Sequence, residues 1–327
     1  MFESRMAIPI VAHPSHSLQL KSSDAPSGEA GGLAVLCTPD KTYNIRQKNS
    51  SNTVHILQPG NESTIPSSTA SEVQQPQLVG ISKPESTLET LPGSKSLAAA
   101  HIRQLLPILT STGQTTATTP PLTKPQLFSH IPFSDAECEE AYRELSCYTD
   151  HTNNHCICPS AQVKLQTWLS LLQNARANAV DLLTELDQDS ILSLKDGLED
   201  LPAGLFEAIL QAFTPTPPSE GKTSIDQDRL VRHVGLSRLE VDAAKLPIPP
   251  ATFKTAWKDA LPEQLRDKVD FALIADRHVL SAGGRAIAFK DYAVDLSPGD
   301  GTAVTEGKSA LGTKRKWHDK FKPVKKA

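Results

Sequence analysis

The stretch from Leu33 to Arg46, Leu-Ala-Val-Leu-Cys-Thr-Pro-Asp-Lys-Thr-Tyr-Asn-Ile-Arg, constrains this chain more than any other. Its first half, Leu33 to Thr38, is a nearly unbroken apolar run, the pattern of a strand covered on both faces. Pro39-Asp40 follows with turn chemistry, since proline presets φ and aspartate bonds its own backbone. Thr42, Asn44 and Arg46 then alternate with Tyr43 and Ile45, so a second strand runs back along the first. Ser17 to Lys21 supplies an opening strand, Thr53 to Leu57 a third run, and Leu78 to Ile81 and Thr87 to Leu91 returning strands. The pattern is a meander of a small β-barrel or sandwich. A purely structural β-domain satisfies it as well as a ligand site does.

Downstream the pattern changes to helices. Residues 61–77 form a polar tract without periodicity, read as a disordered insertion, so 1–109 is one β-rich unit closed by a helix from Ser96 to Leu109. Thr, Pro and Gly mark 110–133 as a linker. Ser134-x-x-Glu137 is a capping box opening a helix with Ala141, Tyr142 and Leu145 inward. Gln162 to Leu186 is the longest helical pattern, and Leu201 to Phe213 is another amphipathic segment. Ser224-x-x-Gln227 is a second capping box, ahead of Leu230, Val231 and Val234. Short helices follow after Pro250, carrying Phe253 and Trp257, and after Pro262. Phe271 to Leu280 and Arg285 to Val294 then read as a hairpin around Gly283-Gly284. Helices followed by a hairpin is the order of a winged helix and of other small α+β units. The expected fold class is α+β, an N-terminal small β-barrel or sandwich followed by tandem winged-helix domains at 134–213 and 224–296, with a flexible linker and basic tail over 297–327.

Charge and cysteine content narrow the class of function. The chain carries a net −4, yet residues 314–327 hold seven Lys/Arg against Asp319 alone, so a mildly acidic body ends in a basic tail. Such a body does not grip nucleic acid over its whole surface. No apolar run reaches the ~18 residues of a membrane span, and the N-terminus makes a poor signal peptide. Five cysteines without an export signal imply reduced thiols. Cys147-x3-His151-x3-His155-Cys156-x-Cys158 has no second knuckle to complete a zinc site. Gly221-Lys222-Thr223 lacks the preceding glycine of a phosphate loop, and Pro217-Pro218 removes the amides such a loop uses. The ten histidines and the acids are scattered, with no nucleophile elbow among them, so neither catalysis nor a cofactor is expected. The tail, with Lys314, Arg315, Lys316 and Lys320, fits a nuclear import signal, a phosphate-binding arm with Trp317 and Phe321 stacking on bases, or a solvated end. Arg277, His278, Arg285 and Lys290 are candidates to line a wing that touches DNA phosphates, which would be sequence-indifferent and salt-sensitive binding.

The run Ala34-Val35-Leu36-Cys37-Thr38-x-Asp40-Lys41-Thr42-Tyr43-x-x-Arg46, with Ser51-Asn52 and Leu57-x-Pro59, resembles the signature of the "defective in sister chromatid cohesion" family. A looser likeness spans Pro250 to Leu280 through Phe253-x3-Trp257 and Leu273-x2-Asp276-Arg277. The resemblance implies a nuclear, non-ATPase subunit of the alternative replication factor C clamp loader. Its β-domain would co-fold with the two chromosome-transmission-fidelity subunits and meet the small subunits. Its winged helices would reach DNA without sequence specificity, DNA polymerase epsilon or the sliding clamp. Val35, Leu36 and Ile45 are then core, and Lys41, Tyr43 and Arg46 are candidates for partner contact. Members continue into a further winged-helix domain after a Lys-Trp-like segment, whereas ten residues follow Trp317 here, so loss of that domain or a truncated gene model is expected. The alternative from another class is a free-standing nuclear winged-helix DNA-binding protein.

Overall fold

The computed structural model describes residues 9–13, 16–22, 34–48, 55–59, 78–82, 87–92, 98–110, 113–116, 120–198, 201–202, 204–215, 223–281 and 283–292. Five strands near the N-terminus, β1 (Pro9–His13), β2 (His16–Ser22), β3 (Ala34–Cys37), β4 (Thr42–Lys48) and β7 (Thr87–Pro92), form one antiparallel sheet in the order β1-β2-β3-β4-β7. A separate hairpin, β5 (Ile56–Pro59) and β6 (Leu78–Ser82), is inserted between β4 and β7. Among the described residues the sheet stays open, which corrects the expected barrel. The apolar run of β3 is also not covered on both faces. Val35 and Cys37 are buried, Leu36 is half-buried and Ala34 is exposed, the alternation of a sheet with one dry face. Ile45 is likewise only half-buried.

Residues 110–133 do not stand apart as the linker that their composition suggested. Helix α1 (Ala98–Leu105) leads into β8 (Ile108–Leu109), which pairs with β9 (Thr115–Thr116) and, in parallel, with β11 (Cys156–Pro159) from beyond the supposed linker. Pro125 sits in the first turn of α2 (Lys124–His130), where its missing N–H costs nothing, and Leu127 and Ile131 are fully buried. Helix α3 (Asp135–Glu144) starts at the predicted capping box, and β10 (Tyr148–Thr149) pairs with β11. The long helical pattern breaks in two. Helix α4 (Ala161–Ala177) ends where Ala179 adopts φ 52°, and α5 (Gln188–Lys195) restarts on the side chain of Asp187. Helix α6 (Leu205–Ala212) follows.

Helix α7 (Gln227–Ala243) is capped by Asp226 rather than Ser224, its carboxylate accepting from the N–H groups of Asp228 and Arg229. An anion in that position answers both the free amides and the helix dipole, so it outcompetes the serine two residues earlier. Then come α8 (Pro250–Asp259), two 3-10 segments (Glu263–Lys268, Phe271–Ile274), and the hairpin β12 (His278–Leu280) and β13 (Ile287–Phe289). Phe271 to Ile274 is therefore helical where a strand was expected.

Two cores result. The larger gathers α4, α6, α7 and α8 around Trp168, Phe213, Phe253 and Trp257, all fully buried. Their polar edges are satisfied: Trp168 Nε1 donates to the Ala260 carbonyl at 2.8 Å and Trp257 Nε1 to that of Val231 at 2.9 Å. Gly235 on α7 is where the Trp257 ring lies flush on the backbone, since a Cβ there would stand 2.3 Å from the ring. The smaller core joins α1, α2 and α3 with Cys138, Cys147, Cys156, Cys158 and Tyr292, and Phe289 packs against both.

Candidate functional site

The signature residues fold into a hairpin that is bolted to the start of α3. Thr38 shapes the turn, its Oγ1 donating to Asp40 at 2.8 Å and accepting from the Lys41 N–H at 2.9 Å. The turn sets Thr42 at the head of β4, opposite Cys37, with both side chains buried. Thr42 Oγ1 donates to Glu137 Oε2 at 2.5 Å and accepts from the Ser134 N–H at 2.7 Å. Ser134 and Glu137 are the two halves of the capping box, so the hairpin plugs a third side chain, the Thr42 hydroxyl, into a helix N-terminus whose amides need acceptors. The Pro39 carbonyl takes a further one, the Ala136 N–H, at 3.2 Å. Beside it the Lys21 ammonium of β2, only 8% exposed, donates to the carbonyls of Phe133 (2.6 Å) and Phe128 (3.1 Å) and lies 3.4 Å from Asp135. Burial pushes the Cys37 thiol up, which keeps it protonated against the Thr42 hydroxyl.

The three residues expected to meet partners lie outside this joint. Lys41 is exposed on the turn, Tyr43 is half-buried, and Arg46 is exposed at the far end of β4. Arg46 forks onto Glu89 of β7 at 2.8 and 2.9 Å, and that contact holds the Glu89 carboxyl below its usual range. Alternation puts Arg46 on the Thr42 face and Tyr43 on the other, so the three do not form one patch.

The wing candidates separate in the same way. Arg277 is 2% exposed, its guanidinium 4.1 Å above the Tyr292 ring and 3.7 Å from Asp276. It is an interior cation and has no surface to offer a phosphate, which corrects its place among the DNA-contact candidates. His278 is tied through Nδ1 to the Ile274 carbonyl at 2.9 Å. Arg285 stands exposed beside the glycine turn, where Gly283 (φ 86°) and Gly284 (φ 66°) take left-handed backbone, and Lys290 is half-buried. Lys314, Arg315, Lys316 and Lys320 lie outside the described residues, as do the tract 61–77 and Gly221-Lys222.

Beside the β12–β13 hairpin runs an ionic layer that no sequence motif announced. Arg232 on α7 reaches Asp276 at 2.7 Å and Glu144 on α3 at 2.9 Å. Arg229 pairs with Glu140 at 2.8 Å, and Arg103 of α1 pairs with Glu240 of α7 at 2.6 Å. Tyr292 lies between Arg103 and Arg277, at 4.8 and 4.1 Å. Burial, and next the charges of Glu144 and Glu240, push the Tyr292 phenol up, so it stays neutral in this layer. These pairs join helices distant in sequence, and no local spacing announces them.

The cysteine–histidine stretch is pulled apart. Cys147, Cys156 and Cys158 are buried, His151 is exposed and His155 half-buried. Among the described residues no group of three or more such side chains is placed to hold a metal, and no helix is long and apolar enough to cross a membrane.

Among curated proteins none matches this chain. The family model described as sister chromatid cohesion protein Dcc1 matches residues 7–289, which takes in the docked hairpin, the larger core, all of the smaller one but Tyr292, and the β12–β13 hairpin. With that span covered, the chain belongs to the Dcc1 family of sister chromatid cohesion proteins.

Proposed function

We propose that the chain acts in cohesion as a non-catalytic subunit of the alternative clamp loader in the nucleus, and that it enters that assembly by donating its N-terminal sheet. One observation carries this reading: the sheet and its inserted hairpin leave apolar side chains bare where a sheet ends. Leu88 and Leu91 of the outer strand β7 are 67% and 37% exposed, and Leu57 and Ile81 of β5 and β6 are 51% and 59% exposed. An outer strand with bare leucines is a template for pairing unless another chain covers it. The two chromosome-transmission-fidelity subunits are the covering partners in this proposal. The segment 224–292 serves as a winged-helix unit toward DNA or polymerase epsilon, with Arg285 at its exposed tip, and the clamp chemistry belongs to the loader's ATPases.

Co-expression of the full chain with those two subunits tests it. A stable ternary complex, lost on Leu88→Asp or Leu57→Asp while the chain's own melting temperature holds, is the expected result. A full-length chain that is monodisperse alone and ignores every loader subunit overturns it.

A further inference from the structure

The β10–β11 hairpin sends alternate residues into different cores. Tyr148 lies in the larger core and Ile157 packs against it, whereas Cys147, Cys156 and Cys158 are buried in the smaller one. The ladder pairs Tyr148 with Ile157 and Thr149 with Cys156, so the next residues along it, Cys147 and Cys158, face each other. The Asp150 N–H donates to the His155 carbonyl at 2.8 Å, which makes these two a hydrogen-bonded pair. By the alternation of an antiparallel ladder, Thr149 with Cys156 and Cys147 with Cys158 are then the close, non-bonded pairs. The backbone agrees, because the Cys156 and Cys158 N–H groups turn outward to the carbonyls of Leu122 and Pro107. In the first close pair the side chains already meet, Thr149 Oγ1 lying 4.0 Å from Cys156 Sγ. The Cα atoms of such a pair stand about 4.5 Å apart, within the ~4.4–6.8 Å that a disulfide bridges.

Two further features set this pair apart among the five thiols. The Cys147 thiol donates to Cys158, and that contact, then the charges of Arg103 and of Lys164 from the cleft between α3 and α7, hold Cys158 below its usual range. Burial pushes Cys37, Cys138 and Cys147 the other way. The approach to the pair is also the weak point of the hairpin. Ser146, just before Cys147, is held at φ 55°, and among the described residues its buried hydroxyl has no hydrogen-bond partner. The other end of the short ladder is an exposed turn over residues 151–154. Strain and a short ladder favour local opening here while the helices stay in place.

We propose that Cys147 and Cys158 form a redox clip, reduced at rest and joined by a disulfide when a peroxide-class oxidant reaches the opened hairpin. The Cys158 thiolate attacks one oxygen of hydrogen peroxide and breaks the O–O bond, leaving a sulfenic acid and a hydroxide that is protonated to water. The Cys147 sulfur then displaces the sulfenic hydroxyl, and its thiol proton leaves with that hydroxyl as a second water. Two thiols thereby pass two hydrogens and two electrons to one peroxide. The new bond closes a loop over residues 147–158 and fixes the hairpin on which the two cores meet. The clip is separate from the sheet edge proposed above and does not depend on it.

The experiment treats the full chain with a few equivalents of hydrogen peroxide, then denatures, alkylates and digests it without reductant for mass spectrometry. Cleavage before Asp150 parts the two strands, and fragment spectra locate the bond. The expected product is one cross-linked peptide pair joining Cys147 to Cys158, lighter by two hydrogens than the free peptides and reversed by dithiothreitol. The melting temperature should rise with it by several degrees. Both changes should vanish in Cys147→Ala and persist in Cys156→Ala. The peptide map is read on the natural chain, so it decides the matter even if a variant does not fold. A bond to any other cysteine, thiols that alkylate as freely as in the untreated chain, or Cys158 carried on to the sulfinic acid without a bond overturns the proposal. So does loss of the cross-link in a folded Cys156→Ala chain.

Discussion

Replacing Thr42 by valine keeps the shape of the side chain and removes only the hydroxyl that joins the hairpin to α3. That hydroxyl makes a bond to the Glu137 carboxylate at 2.5 Å and one from the Ser134 amide at 2.7 Å. A hydrogen bond to a charged group contributes about 1.5–3 kcal/mol and a neutral one about 1 kcal/mol. Part is recovered, because Glu137 keeps the Ser134 hydroxyl at 2.8 Å and the Ser134 amide already lies 3.3 Å from the same carboxylate oxygen. The net loss is about 2 kcal/mol, or about 4–8 °C in a cooperative unit of ~150–250 residues. Calorimetry and urea titration of the full chain measure it, and Thr42→Ser should recover most of the loss. A double-mutant cycle with Glu137→Gln should return a coupling of about 1–2 kcal/mol. If Thr42→Val is neutral, or Thr42→Ser is as damaging as valine, the hydroxyl is not what fastens the hairpin.

Lys21→Met should cost about 3 kcal/mol and open the N-terminal sheet to limited proteolysis, because two carbonyls lose their buried donor. Gly235→Ala should cost about 3 kcal/mol or more in urea, since the new methyl meets the Trp257 ring, and Trp257→Phe in the same chain should restore part of that by removing the atoms it strikes. His233 titrates at about 3 when folded against an ordinary 6.5, so the folded state resists its protonation. Its contribution to stability is therefore complete above pH 6.5 and lost as the pH falls toward 3, and His233→Gln should flatten the stability profile in that window, read by urea midpoints at successive pH values. Arg46→Ala, which breaks an exposed pair, should leave the melting temperature unchanged in calorimetry, while a pull-down with the loader subunits should weaken if Arg46 is a contact.

What the sequence disclosed follows the range over which its signals act. The Ser134–Glu137 capping box, the helix behind Pro250 and the strands on either side of Pro39-Asp40 are set by neighbours a few residues apart, and all three stand in the structure. The Asp226 cap was misplaced by two residues because serine and aspartate both satisfy free amides, and only the folded backbone selects between them. The α2 segment looked like linker because a Pro in the first turn and a Thr-rich approach mimic one, whereas the burial of Leu127 comes from α3 and α1. Thr42 was visible inside the signature but not as a joint, since its partners are about ninety residues away. Arg277 was misplaced, and the buried Lys164 passed over, for the same reason. A basic residue is exposed by default, and nothing near either in sequence tells that Tyr292 or the α3–α7 cleft will enclose it.

The joint between hairpin and α3 also limits where another chain can add to the sheet. Thr42 and Lys21 spend their polar groups on the helix start, so that part of the sheet is covered by the chain itself. Lys41, beside the joint, is bare but charged and stands on a turn that has already closed its own hydrogen bonds. The strand order makes β7 an outer strand, away from β2 and β3, and the bare leucines are on it and on the neighbouring inserted hairpin in sequence. Strand addition needs both an open strand edge and apolar side chains that gain from burial, and among the described residues these coincide at β7 rather than at the signature turn. The signature's task is accordingly internal: it fixes the sheet to the helical body so that the opposite side is presented in one orientation. Substitutions in the turn should then loosen the sheet before they touch a partner directly, whereas substitutions at Leu88 should do the reverse.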